Sequence, residues 1–151
     1  MATIKAFEDM EIWQIARAFS KVIYKITNRE SLSKDFSFIN QIRSSSGSMM
    51  DNVAEGFERG GRTEFIQFLV IAKGSAGEAR SELSRALDQD YITEEEFISA
   101  KEMVTGFSSR TQRLIEYLNK TEYKGVRYKV EESEIEYSAE NNLDLQFSDQ
   151  P

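Results

Sequence analysis

Apolar residues recur at three- and four-residue steps through four long segments of this chain, and no proline interrupts them. Proline inside a helix removes a backbone hydrogen bond and clashes with the preceding turn, and the single proline here is Pro151. An apolar stripe with a period near 3.6 residues is typical of an amphipathic helix that buries one face. The pattern therefore predicts an all-α protein with four long helices.

The predicted helices cover residues 9–27, 37–57, 63–89 and 94–119. Asp9 is the expected N-cap of the first helix. Gly56 and the pair Gly60–Gly61 are expected to end the second, because glycine adopts the left-handed cap conformation at little cost. Thr93 followed by Glu96 is a capping box before the fourth. Short connections between long helices favour antiparallel neighbours, so we predict an antiparallel four-helix bundle.

Beyond Lys120 the helical pattern stops and acidic residues accumulate. Residues 121–151 contain eight acidic and three basic side chains, so this segment carries −5 of the net charge of −7. Val126, Tyr128 and Val130 alternate with charged residues as in a half-buried strand, which would need another chain or a groove of the bundle as its partner. We expect a bundle over residues 1–120 followed by a mostly irregular acidic C-terminal tail over residues 121–151.

The composition excludes most kinds of catalytic and metal site. The chain has no cysteine and no histidine, which removes thiol chemistry, imidazole acid–base catalysis and most zinc sites. We therefore expect a protein that is not an enzyme and has no cofactor or metal. No apolar run approaches the ~18 residues of a membrane span, and the N-terminus does not resemble a secretory signal. We expect a cytoplasmic protein that does not bind membranes.

Small residues are concentrated in the middle of helices two and three, in the runs 41–56 and 72–78. Serine and glycine are poor helix formers, so we expect them, including Gly47 and Gly74, to allow close approach of a neighbouring helix, either within one bundle or from a second subunit. The same runs contain polar groups that we expect to form a structural network, because buried charges must be paired. This predicted network consists of Arg43, Asn52, Glu55, Ser75 and Glu78.

Two other interpretations of the polar residues remain open. In one, Glu55 and Glu78 are the carboxylates of a hydrolase in an open cleft. In the other, cations on helices two and three form a patch that binds RNA or DNA, although a net charge of −7 argues against general binding of polyanions. The predicted basic patch consists of Arg43, Arg59, Arg62, Lys73 and Arg80.

Aromatic residues also allow two interpretations. Aromatic side chains can stack on nucleic-acid bases, but at helical spacing they are typical of a hydrophobic core, which we expect here. The set consists of Trp13, Phe7, Phe19, Phe65, Phe68, Phe97 and Phe107.

Several motifs resemble the four-helix bundle family named for the 23S rRNA-intervening sequence protein. The resemblance begins at Phe7-Glu-Asp-Met-Glu-Ile-Trp-Gln14 and continues through Gln41-Ile-Arg43 and Asn52-Val-Ala-Glu-Gly-Phe57. It then includes Phe68-Leu69 and Gly74-Ser75 of the third helix and covers residues 7 to about 118. It implies a small non-enzymatic bundle whose members tend to assemble as ring-like pentamers.

A similar fold occurs in the accessory variability determinant protein of diversity-generating retroelements, which is strongly basic and works with nucleic acid. The acidic chain described here departs from that pattern. Apolar residues outside the helical stripes, such as Ile66 and Ile71, favour a partner surface. We expect a homo-oligomer, most simply a pentamer, that acts as an interaction or scaffold protein. Its expected partners are further copies of itself and a basic protein recruited by the tail, with RNA as the partner in the nucleic-acid alternative.

Overall fold

Four α-helices make up most of the described chain, residues 4–121 of a computed structural model. No strand occurs within this range, and the all-α prediction is confirmed. The predicted tail, including the alternating segment 126–130, lies outside the described residues except for Thr121. In chain order the elements are a 3-10 turn (Phe7–Asp9), α1 (Glu11–Thr27), a second 3-10 turn (Glu30–Leu32), α2 (Phe36–Glu58), α3 (Arg62–Asp88) and α4 (Glu94–Lys120).

Each helix runs antiparallel to its neighbours in sequence, and α4 closes the bundle against α1. The most extensive contact is between α2 and α3, and the contact between α1 and α4 is the smallest of the four. Ser45, early in α2, meets Glu82 late in α3, while Ser48 meets Ser75. At a rise of ~1.5 Å per residue, α3 is about 40 Å long. The predicted antiparallel four-helix bundle is confirmed.

Side-chain caps set the start of two helices. The carboxylate of Asp35 accepts a hydrogen bond from the Phe38 backbone N–H at 3.1 Å. The predicted capping box is present, because Thr93 accepts from the Glu96 N–H at 3.2 Å and Glu96 accepts from the Thr93 N–H at 3.0 Å. The prediction of Asp9 as the cap of α1 was wrong: Asp9 ends the preceding 3-10 turn, and Met10 is the N-cap.

The glycines of α2 and α3 have different roles from those predicted. Gly60 has a φ of 74° and ends the turn after α2, but Gly56 lies buried inside the helix, which continues to Glu58. A Cβ atom at Gly56 would lie 2.7 Å from the Cβ of Phe68, so this position requires glycine. A Cβ at Gly47 or Gly74 would meet nothing within 4 Å. The predicted close approach at these two glycines within the bundle was wrong, because both lie away from the contact between α2 and α3, whereas approach by a second subunit stays a prediction.

Apolar side chains from all four helices, and from the turn before α2, fill the interior. Of the seven aromatic residues singled out above, three phenylalanines are fully buried, whereas Phe7, Trp13, Phe68 and Phe97 are half-buried. None of the described helices is long and apolar enough to cross a membrane. The largest fully buried side chains are Phe19, Phe65, Phe107, Ile12, Ile23, Leu32, Ile42, Met49, Leu69, Leu83, Leu114 and Leu118.

Candidate functional site

A buried carboxylate, Glu82, joins α3 to α2. It hydrogen-bonds to the Ser45 hydroxyl, which also lies 3.2 Å from the Ile42 carbonyl oxygen. Burial raises the pKa of the Glu82 carboxyl, and the Ser45 hydrogen bond and the Arg85 guanidinium, 3.8 Å away, act in the opposite direction. Glu82 is only 8% exposed and lies in the contact between α2 and α3, so its geometry is that of a structural link.

Two of the five residues of the predicted network meet through a third that the sequence analysis missed. The Ser75 hydroxyl lies 2.9 Å from the Ser48 hydroxyl, and the Asn52 side-chain amide donates to the same oxygen at 2.8 Å. Glu55 and Glu78 are both exposed and take no part in this arrangement. Both carboxylates proposed for a hydrolase therefore lie at the surface of the bundle.

Arg43, the remaining member of the predicted network, faces α1 instead of α3. Its guanidinium donates to the Thr27 hydroxyl at 2.8 Å and to the Asn28 side-chain oxygen at 2.9 Å. The same group lies 4.4 Å from the centre of the Tyr24 ring, a distance typical of a cation–π contact. Arg43 thus connects α2 to the end of α1.

Arg59 and Arg62 of the predicted basic patch lie at the same end of the bundle. Arg59 forms an exposed ion pair with Glu55 at 2.8 Å, one helical turn earlier. Arg62 donates to the backbone carbonyl of Thr121, next to the end of α4. Each guanidinium therefore already has an acceptor.

The other cations of the predicted patch lie elsewhere. Lys73 faces α4 and donates to the Gln112 side chain at 2.6 Å, and Arg80 is exposed on α3. Arg43 lies on α2 and Arg59 is the cap residue at the end of this helix, 16 residues later, which corresponds to about 24 Å along the axis. The five cations do not form one continuous surface.

A different basic surface, missed by the sequence analysis, runs along the outward face of α1. Arg17, Lys21 and Lys25 are all exposed and follow each other at four-residue intervals, which places them on one side of a helix. No acidic residue occurs from residue 12 to residue 29. None of the three cations lies within 4.0 Å of a carboxylate oxygen among residues 4–121. We call these three residues the α1 basic stripe.

An open groove of about 410 Å³ lies beside this stripe, between α1 and α2. Tyr24, which is 48% exposed, forms the α1 side. Gly47 leaves the α2 side open, since a Cβ there would meet no other atom within 4 Å. The residues that line the groove are Tyr24, Arg43, Ser44, Gly47, Ser48, Asp51, Asn52 and Glu55.

Two ion pairs join α4 to α1 and to Arg29, the second residue after α1. Arg110, which is 6% exposed, donates to Glu11 at 2.9 Å. Near the opposite end, the two terminal guanidinium nitrogens of Arg29 donate to the Glu96 carboxylate, and this hydrogen bonding lowers the pKa of Glu96. Within the described residues no three carboxylates are placed to hold a metal ion.

A family model described as 23S rRNA-intervening sequence protein matches residues 8–113. The chain belongs to this family. The match spans α1, α2, α3 and most of α4, so the α1 basic stripe, the groove and the contact between α2 and α3 all lie in the family region. The family resemblance found from the motifs is confirmed.

A solved structure is also similar to the chain. It is a protein of unknown function from the S23 ribosomal protein family of Bacteroides thetaiotaomicron VPI-5482, with a TM-score of 0.64 and 27% sequence identity. The alignment covers 70% of this chain and 98% of that chain. No curated protein matches the chain.

Proposed function

We propose that this protein is a non-enzymatic scaffold that assembles from several copies of itself, most simply as a closed ring of five. The observation that carries the proposal is the outward face of α3. Val70 and Ile71 on this helix are 54% and 50% exposed. Exposed apolar groups next to one another favour a protein interface over a solvated surface.

The sequence of this face has the spacing of a helix contact. Gln67, Gly74 and Ser81 recur every seven residues, and Val70, Gly77 and Ser84 do the same three positions later. All six are exposed. A seven-residue repeat at two alternating positions keeps one seam facing a partner helix. We call these six residues the α3 outer seam.

The two glycines of the α3 outer seam support its role as an interface. Glycine in a helix interior costs roughly 1 kcal/mol relative to alanine. Within the described chain nothing requires glycine here, because a Cβ at Gly74 or Gly77 would meet no atom within 4 Å. Close approach of a helix from a second copy accounts for both glycines. In a ring the α3 outer seam would meet a different surface of the next copy, since head-to-tail contacts generate closed rings.

A ring of identical subunits would act by multivalent display. Several copies of a modest binding surface raise the overall affinity for a partner without any strong single contact. The acidic residues from 122 onwards would offer a basic protein partner several copies of the same charge. The patch on helices two and three, proposed as a nucleic-acid site from the sequence, receives less support because its five cations are dispersed.

The test is the mass of the protein in solution, measured by light scattering after gel filtration and by native mass spectrometry. We expect the wild-type protein at five times the chain mass of 17.4 kDa. The double variant Gly74→Leu, Gly77→Leu should run at 17.4 kDa with its helical circular dichroism intact, since the added side chains point away from the chain's own atoms. The matched control is Thr105→Leu, Ser109→Leu, two exposed positions of α4, which should retain the wild-type mass. A monomeric wild-type protein, or a glycine variant of unchanged mass, would contradict the proposal.

A further inference from the structure

We propose that the outward face of α1 and the groove beside it bind a single-stranded nucleic acid. In this arrangement the α1 basic stripe contacts the phosphates, and a base stacks on Tyr24. The site is separate from the α3 outer seam and does not depend on assembly through it.

The α1 basic stripe is the part of the surface best suited to phosphates. Successive cations at four-residue spacing lie about 6 Å apart along the helix axis, so consecutive phosphates of one strand can meet them in turn. Arg29 and Glu96 bond to each other at the end of this face, whereas Arg17, Lys21 and Lys25 have no carboxylate within 4.0 Å among residues 4–121. A run of lysine and arginine along a helix is the electrostatic pattern expected of a nucleic-acid surface.

Tyr24 adds an aromatic ring at the edge of the stripe. It follows Lys21 by three residues and precedes Lys25 directly, and it is 48% exposed. The Arg43 guanidinium, held by Thr27 and Asn28, lies 4.4 Å from the ring centre and fixes the ring's position. Proteins that bind single strands combine a basic track for the backbone with aromatic side chains on which bases stack.

The groove supplies polar atoms for the edge of a base. Its volume of about 410 Å³ is within the ~300–1,000 Å³ typical of small-ligand sites. Asn52 donates both observed hydrogen bonds through its amide nitrogen to Ser48, which leaves its oxygen as an acceptor. Asp51 and Glu55 also line the groove, and carboxylates accept hydrogen bonds from the amino groups of bases.

The same groove argues against two other anionic partners. The carboxylates of Asp51 and Glu55 would repel the side chains of an acidic polypeptide but can pair with base N–H groups. In a duplex the faces of the bases are stacked on one another, so the ring of Tyr24 would have no base to stack on. A single strand is therefore the polyanion whose chemistry matches both the stripe and the groove.

The experiment titrates the full-length protein against a fluorescein-labelled 20-nucleotide RNA of mixed sequence, followed by fluorescence anisotropy over a salt series. The test variant is Lys21→Glu, Lys25→Glu. Its matched control, Lys101→Glu, Lys120→Glu, has the same charge change on α4; Lys25 and Lys120 each lie in the last turn of their helix, so any effect on the helix dipole is similar. All four lysines are exposed.

We expect the wild-type protein to bind with an affinity that falls as salt rises. The test variant should lose at least about tenfold in affinity, and its salt slope should fall by about 1.4, at roughly 0.7 for each phosphate contact on a single strand. Tyr24→Ala should weaken binding by about tenfold while Tyr24→Phe retains it, because stacking depends on the ring. The control variant should match the wild-type protein, and every variant should keep the wild-type mass and unfolding temperature.

Three results would overturn the proposal. The first is the absence of binding at low salt, and the second is an equal loss of affinity in the control variant. The third has two parts: a duplex of the same length, or polyglutamate as competitor, binds as tightly as the single strand, and Tyr24→Ala binds the single strand as tightly as the wild-type protein does. This third result would mean that the outward face of α1 binds any polyanion. If the solution mass showed a monomer and so contradicted the scaffold, this binding test would still apply, since the α1 basic stripe belongs to a single chain.

Discussion

The contact between α2 and α3 and the contact between α1 and α4 are held together in different ways. In the first, small side chains allow extensive approach, and Gly56 lies so close to Phe68 that a Cβ would fall 2.7 Å from its neighbour. In the second, which is the smaller contact, a largely buried Arg110 bonds to Glu11 at 2.9 Å. The first contact leaves little room for added atoms, whereas the second requires its charged partners.

This difference determines which substitutions each contact tolerates. When two helix backbones are pushed apart, their side chains lose van der Waals attraction and buried apolar surface. The α2–α3 contact should therefore be sensitive to added side-chain volume. An ion pair with a buried partner is lost when either charge is removed and leaves the other uncompensated. The α1–α4 contact should therefore be sensitive to deleted groups.

The largest expected effect is at Gly56. Replacing Gly56 with Val should destabilise the protein by about 3 kcal/mol, because overpacking of a close contact forces the helices apart. The matched control on the same helix is Gly47→Val, where the new Cβ meets no atom within 4 Å. The control should leave stability unchanged or slightly raised, since glycine is the poorer helix former. Denaturant unfolding followed by circular dichroism measures both, and equal stability of the two variants would refute the close-approach argument for Gly56.

A smaller loss is expected at Arg110. Arg110→Met should destabilise the protein by about 2 kcal/mol, below the value for a fully buried pair because Glu11 remains partly in contact with water. The Glu11 side chain is 33% exposed. The double variant Arg110→Met, Glu11→Gln should cost less than the sum of the single variants, because the second change removes the uncompensated charge. Additive costs in the same unfolding assay would show that the pair does not couple α1 to α4.

The smallest effect is expected at Glu82 and depends on pH. Burial raises the pKa of this carboxyl above its ordinary value of 4.5, so the folded state favours the protonated form. The stabilisation from Glu82 is present below the unfolded pKa and is lost as pH rises through the folded pKa. Glu82→Gln should therefore be more stable than the wild-type protein at neutral pH. A glutamine oxygen can still accept from Ser45, so the difference should shrink as the pH falls through the raised pKa of the folded state, and it should be smallest below 4.5.

Thermal unfolding over a pH series measures this difference. The control is Glu102→Gln at an exposed position of α4, which should show no comparable change with pH. A difference between Glu82→Gln and the wild-type protein that stays constant over the whole series would contradict the role assigned to burial.

Much of the fold could be predicted from local sequence, and the predicted helix ends lie within two residues of those observed. The capping box of Thr93 and Glu96 could be predicted because both residues lie within one helical turn. Two features could have been found from their spacing and were missed. Glu82 continues the buried series through Ser75 and Ala79, and the α1 basic stripe repeats every four residues in a segment without acids.

The sequence by itself determined the four helices, their antiparallel order and the family, because apolar periodicity, caps and short connections are local properties of the chain. The tertiary structure decided which polar groups meet. Arg43 faces α1 while Ser75 bonds to Ser48, and Glu55 lies at the surface. Neighbouring residues on a helix point about 100° apart, so the partner of each side chain depends on how the packed helix is rotated and aligned along its axis. Packing of the complete core sets that rotation and alignment.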